Sequence, residues 1–236
     1  MRVTNCLYLG FVLCNAPSAM AELETTVVVK GDKFVYEGDI SDDANETLLS
    51  LYKNNGQIKT LEIKSYGGEI NLGMDLGEFV YKNNLTVEVN DYCFSSCANY
   101  VFPSGKRKLI SNRAVIGFHG GASSNEFDDS EFEKELASLS IQQREETLNE
   151  AANYMKDSIK REDAFYSMIG VDQRITTLGQ SDDFSQFDEG GYDGWYYSIS
   201  ALNKLGVDNV FLIEPPVEYK PIRSDLTLFE IDADKF

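Results

Sequence analysis

Gly67-Gly68, Ser96 and His119 stand in that order along this chain of 236 residues, and His119 is its one histidine. The glycine pair follows an apolar strand pattern, Ser96 opens a run of small residues, and His119 ends the next apolar strand pattern. These residue types can combine into a hydrolytic site. A serine hydroxyl attacks a carbonyl only when a base takes its proton, and an imidazole can do so near neutral pH. Backbone N–H groups can oppose the negative charge growing on the substrate oxygen, and glycine lets that oxygen come close. Each feature also has a plainer use: Ser95 and Ser96 as helix caps, Gly67-Gly68 as a tight turn, His119 as a structural residue. The conjunction favours the hydrolase.

The elements around these residues read as alternating strands and helices. Residues 25–29 and 33–36 suit short strands about Gly31-Asp32, and Ser41 suits the N-cap of an amphipathic helix carrying Leu48, Leu49 and Tyr52. Residues 59–64 turn Leu61 and Ile63 inward as a strand that runs into Ser65-Tyr66-Gly67-Gly68. Ile70, Met74, Leu76, Phe79 and Val80 then mark a helix, and 85–89 the next strand. After Cys93-Phe94-Ser95-Ser96-Cys97 comes a short buried helix over 98–102, expected to stop near Pro103 and Gly105. Strands at 109–110 and 114–118 follow, the second delivering His119. The pattern predicts an α/β fold with mostly parallel strands, in which chemistry gathers at the strands' carboxyl ends.

Further along, 128–167 is a long polar helical stretch that either packs on the sheet or projects as an arm toward another subunit. A short helix is expected at 171–178, an acidic Gly-rich loop at 180–193, a last helix at 197–205 and a last strand at 210–213. The tail after Pro215-Pro216 reads as a polar surface segment. No repeat or linker divides the chain, so 22–236 is expected to be one domain.

The first residues read as a leader. Met1-Arg2 is a basic start, 6–16 an apolar run too short for the about 20 residues that span a bilayer, and Ala19-Met20-Ala21 a small-x-small cleavage site. Residues 1–21 are thus expected to be a signal peptide, which places the mature chain in the periplasm or outside the cell. The formal net charge of −18 repels phosphates and anionic lipid, so a nucleic-acid partner is excluded. Of four cysteines, Cys6 and Cys14 leave with the leader. Cys93 and Cys97 are then expected to pair in an oxidising compartment, given a bend at Phe94-Ser95. Two thiols and one histidine fall short of a closed zinc site, so no metal is expected.

Together these segments resemble the Clp protease proteolytic subunit and its crotonase-like relatives, most nearly their exported members, over about residues 61–210. Ser65-Tyr66-Gly67-Gly68-Glu69-Ile70 is similar to the family's Pro-Gly-Gly turn, with Tyr66 in place of proline. Ser95-Ser96-Cys97-Ala98 resembles its nucleophile turn, Gly105-Lys106-Arg107 its glycine-basic segment, and Ile116-Gly117-Phe118-His119 the strand of its catalytic histidine. The resemblance implies a crotonase-like, Clp-type ββα spiral in a single domain. It implies Ser96 as nucleophile, His119 as base, and the N–H groups of Gly67 and Cys97 as oxyanion hole. A helper aspartate belongs before the final helix, where Asp193 is the nearest match, one residue out of register, with Asp182, Asp183 and Asp188 as rivals.

The expected function is therefore an exported serine peptidase that cleaves peptides or unfolded segments through an acyl-enzyme, with no cofactor. A homo-oligomer fits the resemblance, whereas an ATP-driven unfoldase partner is excluded by location. The alternative is a non-catalytic binding or scaffold protein on the same fold. Acyl-CoA chemistry does not suit an exported chain. A Cys97 nucleophile would need a free thiol, and a serine–lysine dyad would have to use Lys106 or Lys108.

Overall fold

Strand β1 (Thr26–Lys30) turns at Gly31 into β2 (Lys33–Glu37), and this is the antiparallel pair of a six-stranded sheet. In the computed structural model, which describes residues 25–124, 130–185, 191–214 and 226–236, the sheet order is β1-β2-β3-β4-β6-β9. The expected leader lies outside the described residues. β3 (Thr60–Lys64), β4 (Thr86–Val89), β6 (Arg107–Ile110) and β9 (Val210–Leu212) all pair in parallel. Helices supply the crossovers, as parallel neighbours require. α1 (Asp42–Asn54) joins β2 to β3, with the Ser41 side chain accepting from the Ala44 N–H, and α2 (Ile70–Lys82) joins β3 to β4. Leu61 and Ile63 of β3 are wholly buried while Thr60, Glu62 and Lys64 are half-exposed, the alternation that a strand covered on one face demands.

A second layer carries the site. β5 (Tyr92–Phe94) pairs in parallel with β7 (Val115–Gly117), and β8 (Gly194–Tyr197) with β10 (Leu228–Ile231). Single bridges join the pieces sideways: Ile40 to Gly68, Ser65 to Cys93, and Phe118 to Trp195. Gly67 thus follows β3 of the six-stranded sheet, whose end bridges to β5 through Ser65, while the Ser95-Ser96 turn and His119 follow the paired strands β5 and β7. The α/β class with a mostly parallel sheet is what the alternation of strands and helices predicts.

Four segments differ from the expectation. The stretch 128–167 is two helices, α4 (Ser130–Ser138) and α5 (Ile141–Ile169). Ser140 starts α5 with a capping box, its side chain accepting from the Gln143 N–H and Gln143 closing back on the Ser140 N–H. Tyr197, expected to open the last helix, instead ends strand β8 behind Trp195 and Tyr196, as three successive aromatics prefer. The last helix, α6 (Ile199–Lys204), begins one residue after its Ser198 cap. The described end of the tail, 226–236, is not a polar surface segment: Leu228, Phe229 and Ile231 are buried and pair with β8. Residues 173–176 form a 3-10 turn in place of the short helix.

Candidate active site

The chain leaves β5 through Ser95, whose φ of +55° lies in the left-handed region that side-chain-bearing residues rarely adopt. That bend brings Cys97 back to Cys93, and the two are disulfide-bonded with Cα atoms 5.2 Å apart. No free thiol remains at the turn, which removes the cysteine-nucleophile reading. Cys97–Val101 then forms a π-helical turn, in which the Phe102 N–H reaches back five residues to the Cys97 carbonyl, followed by α3 (Phe102–Ser104). Pro103 is the second residue of α3, which ends at Ser104 with Gly105 as its cap, where the sequence puts the end. It has no N–H for the Asn99 carbonyl four residues earlier, and the buried Tyr166 hydroxyl donates there instead at 2.6 Å.

Gly67 lies hard against this turn. A Cβ there would stand 2.7 Å from Ser95 Cβ, 2.8 Å from the Phe94 carbonyl oxygen and 2.9 Å from the Ser96 nitrogen, and its φ is +108°. Only glycine fits. Its carbonyl accepts from the Ile40 N–H at 2.7 Å, and its own N–H donates to Ser65 Oγ at 3.0 Å. The donor expected for an oxyanion is therefore engaged by Ser65. The N–H of Cys97, in the first turn of a helix, has no carbonyl partner within that helix.

Ser96 is 2% exposed, and its hydroxyl donates to the Gly68 carbonyl oxygen at 2.7 Å. Gly73 of α2 covers it so closely that a Cβ there would meet Ser96 Cβ at 2.8 Å. Among the described residues no hydrogen bond joins Ser96 to His119. The His119 ring stacks on Phe94 with centroids 5.3 Å apart, and burial pushes its imidazole down from the usual 6.5 to about 4. Its carbonyl accepts from Gln180 Nε2 at 3.3 Å.

Asp193 does not reach this histidine as a triad partner would. Its exposed carboxylate accepts from the Thr227 N–H at 2.7 Å, tying down the chain that enters β10. The neighbouring position faces the histidine: a Cβ on Gly194 would lie 3.3 Å from His119 Cβ. Side chains alternate along a strand, so the one-residue register offset puts a glycine where the carboxylate was expected. Asp182 and Asp183 are exposed, and Asp188 lies outside the described residues. Lys108 is committed elsewhere. Its amine donates to the Asp208 carbonyl at 2.9 Å, desolvation lowers it to about 8, and it lines a cavity of about 540 Å³ that neither turn serine touches. Lys106 lines the same cavity. Among the described residues no group of three or more His, Cys, Asp or Glu side chains could hold a metal ion, and no helix is long and apolar enough to cross a membrane.

The carboxylate that organises the neighbourhood is one the sequence did not single out. Glu162 of α5 is wholly buried. Its Oε1 accepts from the Tyr100 hydroxyl at 2.7 Å and the Ala122 N–H at 3.0 Å. Its Oε2 accepts from the Ser123 N–H at 3.0 Å, the Ser123 hydroxyl at 2.6 Å and Gln173 Nε2 at 3.0 Å. A buried charge is tolerable when so many donors face it. Through these bonds α5 fixes both the helix after the serine turn and the loop after His119. An acidic residue at a core-facing position of an otherwise polar helix was the available signal.

No protein-family model and no curated protein matches the chain. Among solved structures it is similar to ClpP1 from Listeria monocytogenes, with 16% identity over 78% of this chain and 92% of that one, at a TM-score of 0.43. A point mutant of the same protein gives 16% identity over the same shares and a TM-score of 0.45. An enoyl-CoA hydratase from Thermoplasma volcanium gives 14% identity over 39% of this chain, at a TM-score of 0.30. The chain spans half the length of that hydratase.

Proposed function

We propose that this chain is an exported serine peptidase that cleaves peptides or unfolded segments through an acyl-enzyme. One observation carries the reading: the Ser95-Ser96 turn and His119 follow the paired strands β5 and β7, and Gly67, at the bridged end of β3, lies against the turn's backbone where no side chain fits. A turn hydroxyl attacks the peptide carbonyl carbon and its proton passes to His119. The C–N bond then breaks, the leaving amine takes that proton, and water repeats the sequence to free the acid. The family pattern selects Ser96 for the attack and the N–H groups of Cys97 and Gly67 for the oxyanion. For Gly67 to serve, the Ser65 hydroxyl must give up its bond. With Asp193 held by Thr227, the base works as half of a serine–histidine dyad.

The leader-like start, the Cys93–Cys97 disulfide and the acidic balance support export. The reading needs no cofactor, metal or ATP-driven partner. A second copy of the chain suits the first half of α5, where Ile141 is 89% and Leu148 44% exposed. The second reading is a non-catalytic binding protein, favoured by one observation: Ser96 donates to Gly68 and not to His119. Incubation with a reduced, carboxymethylated protein separates the two. Hydrolysis that disappears in His119→Ala supports the peptidase, and a folded wild type that binds this substrate without cleaving it leaves the binding protein.

A further inference from the structure

Two adjacent serines occupy the turn, and they stand in opposite surroundings. Ser96 is sealed: it is 2% exposed, Gly73 covers its Cβ, and its proton is committed to the Gly68 carbonyl. For Ser96 to attack a substrate, that bond would have to break and α2 would have to withdraw. Its hydroxyl does structural work, tying the start of the π-helical turn to the glycine pair.

Ser95 is half-exposed, and its hydroxyl makes no hydrogen bond among the described residues. Its backbone is fixed from both sides. Its N–H donates to the Gly117 carbonyl on the strand that delivers His119, and its carbonyl accepts from the Asn99 N–H as the helix begins. Its Cβ is next to Gly67, while the ring of the preceding Phe94 stacks on His119. Ser95 therefore stands between the glycine turn and the histidine strand, with its hydroxyl unspent. Its φ of +55° is held by the disulfide that straddles it and by these two backbone bonds. Glycine would adopt that conformation without strain, whereas a serine there costs about 1 kcal/mol or more. A sharp, strained strand-to-helix turn that lifts a hydroxyl clear of the backbone is what a nucleophile needs. The π-helical turn immediately after it holds one residue more than an α-helical path would.

We propose that Ser95, not Ser96, is the attacking residue of this site, an assignment that rests on the serine-peptidase reading. Ser95 Oγ forms the bond to the substrate carbonyl carbon, its proton goes to His119, and the C–N bond breaks as the amine leaves with that proton. Ser96 is a positioning residue.

A fluorophosphonate probe tests this on the mature, disulfide-intact protein, with the modified peptide sequenced by mass spectrometry. The expected adduct is on Ser95. It is lost in Ser95→Ala and still forms on Ser95 in Ser96→Ala. Near-ultraviolet circular dichroism checks that both variants keep the native packing. The wild-type adduct site needs no variant, so misfolding of either one leaves the test intact. An adduct on Ser96 overturns the assignment while leaving the peptidase reading standing. A folded wild type that takes no probe at either serine, and cleaves no unfolded substrate, overturns the peptidase reading and the assignment with it.

Discussion

His119 should make stability depend on pH in a window set by its burial. Its imidazole is pushed down from 6.5 to about 4 by desolvation, and nothing but its own backbone opposes this. Between those values the unfolded chain binds a proton that the folded chain refuses. Stability therefore rises with pH through the window, and the contribution is lost as pH falls from about 6.5 toward 4. At about 1.4 kcal/mol for each pH unit separating the two values, the full loss is about 3 kcal/mol, of which about 2 is gone by pH 5. The assay is urea unfolding of wild type and His119→Gln at pH 7 and pH 5. Carboxylates titrate in both proteins and cancel in the comparison. Wild type should lose about 2 kcal/mol more than the variant over that step. Equal losses would refute the burial argument. The same shift governs the base. A histidine that protonates near 4 is neutral throughout the mildly acidic range, so hydrolysis should stay level from pH 7 to pH 5.5 and fall only below. A midpoint near 6.5 would show the imidazole to be solvated when it works.

Other perturbations follow from particular contacts. Glu162→Gln replaces an all-acceptor carboxylate by a group with two N–H donors facing other donors, and should cost about 2–4 kcal/mol in urea unfolding; a loss under 0.5 would refute the five-bond network. Gly67→Ala puts a Cβ within 2.9 Å of three atoms of the serine turn, two of them backbone. It should abolish hydrolysis, and an alanine variant with full turnover would contradict the close approach. Thiol alkylation of the native protein without reductant should leave Cys93 and Cys97 unlabelled, and reduction should cost about 2 kcal/mol for so short a loop. Full labelling of both would remove the disulfide from the account.

The strands and helices near the site were legible because their signals are local. Leu61 and Ile63 alternate, Ser41 caps, and α2 carries its apolar residues at helical spacing. Segments decided by distant partners were not. Trp195-Tyr196-Tyr197 becomes a strand because Leu228, Phe229 and Ile231 come back to pair with it, across more than thirty residues of sequence. Pro103 and Gly105 do mark the end of the helix, but that the Tyr166 hydroxyl takes the Asn99 carbonyl left free by proline depends on a residue far along the chain. Of the site, Gly67, the serine turn and His119 were legible as residue types in order. The partner of Asp193 was not legible: its carboxylate accepts from the Thr227 N–H, a residue brought back by β10, and Gly194 stands beside His119. No spacing rule could show Ser96 bonded to Gly68, since that bond depends on where α2 starts.

The central claim is that this turn hydrolyses peptide bonds, and one comparison meets it directly: wild type against the double variant Ser95→Ala, Ser96→Ala on a reduced, carboxymethylated protein, with new amino termini counted over time. Removing both hydroxyls makes the result independent of which serine attacks. The account predicts new termini from the wild type and none above background from the double variant. Equal production by the two proteins, or none by a correctly folded wild type, would contradict it.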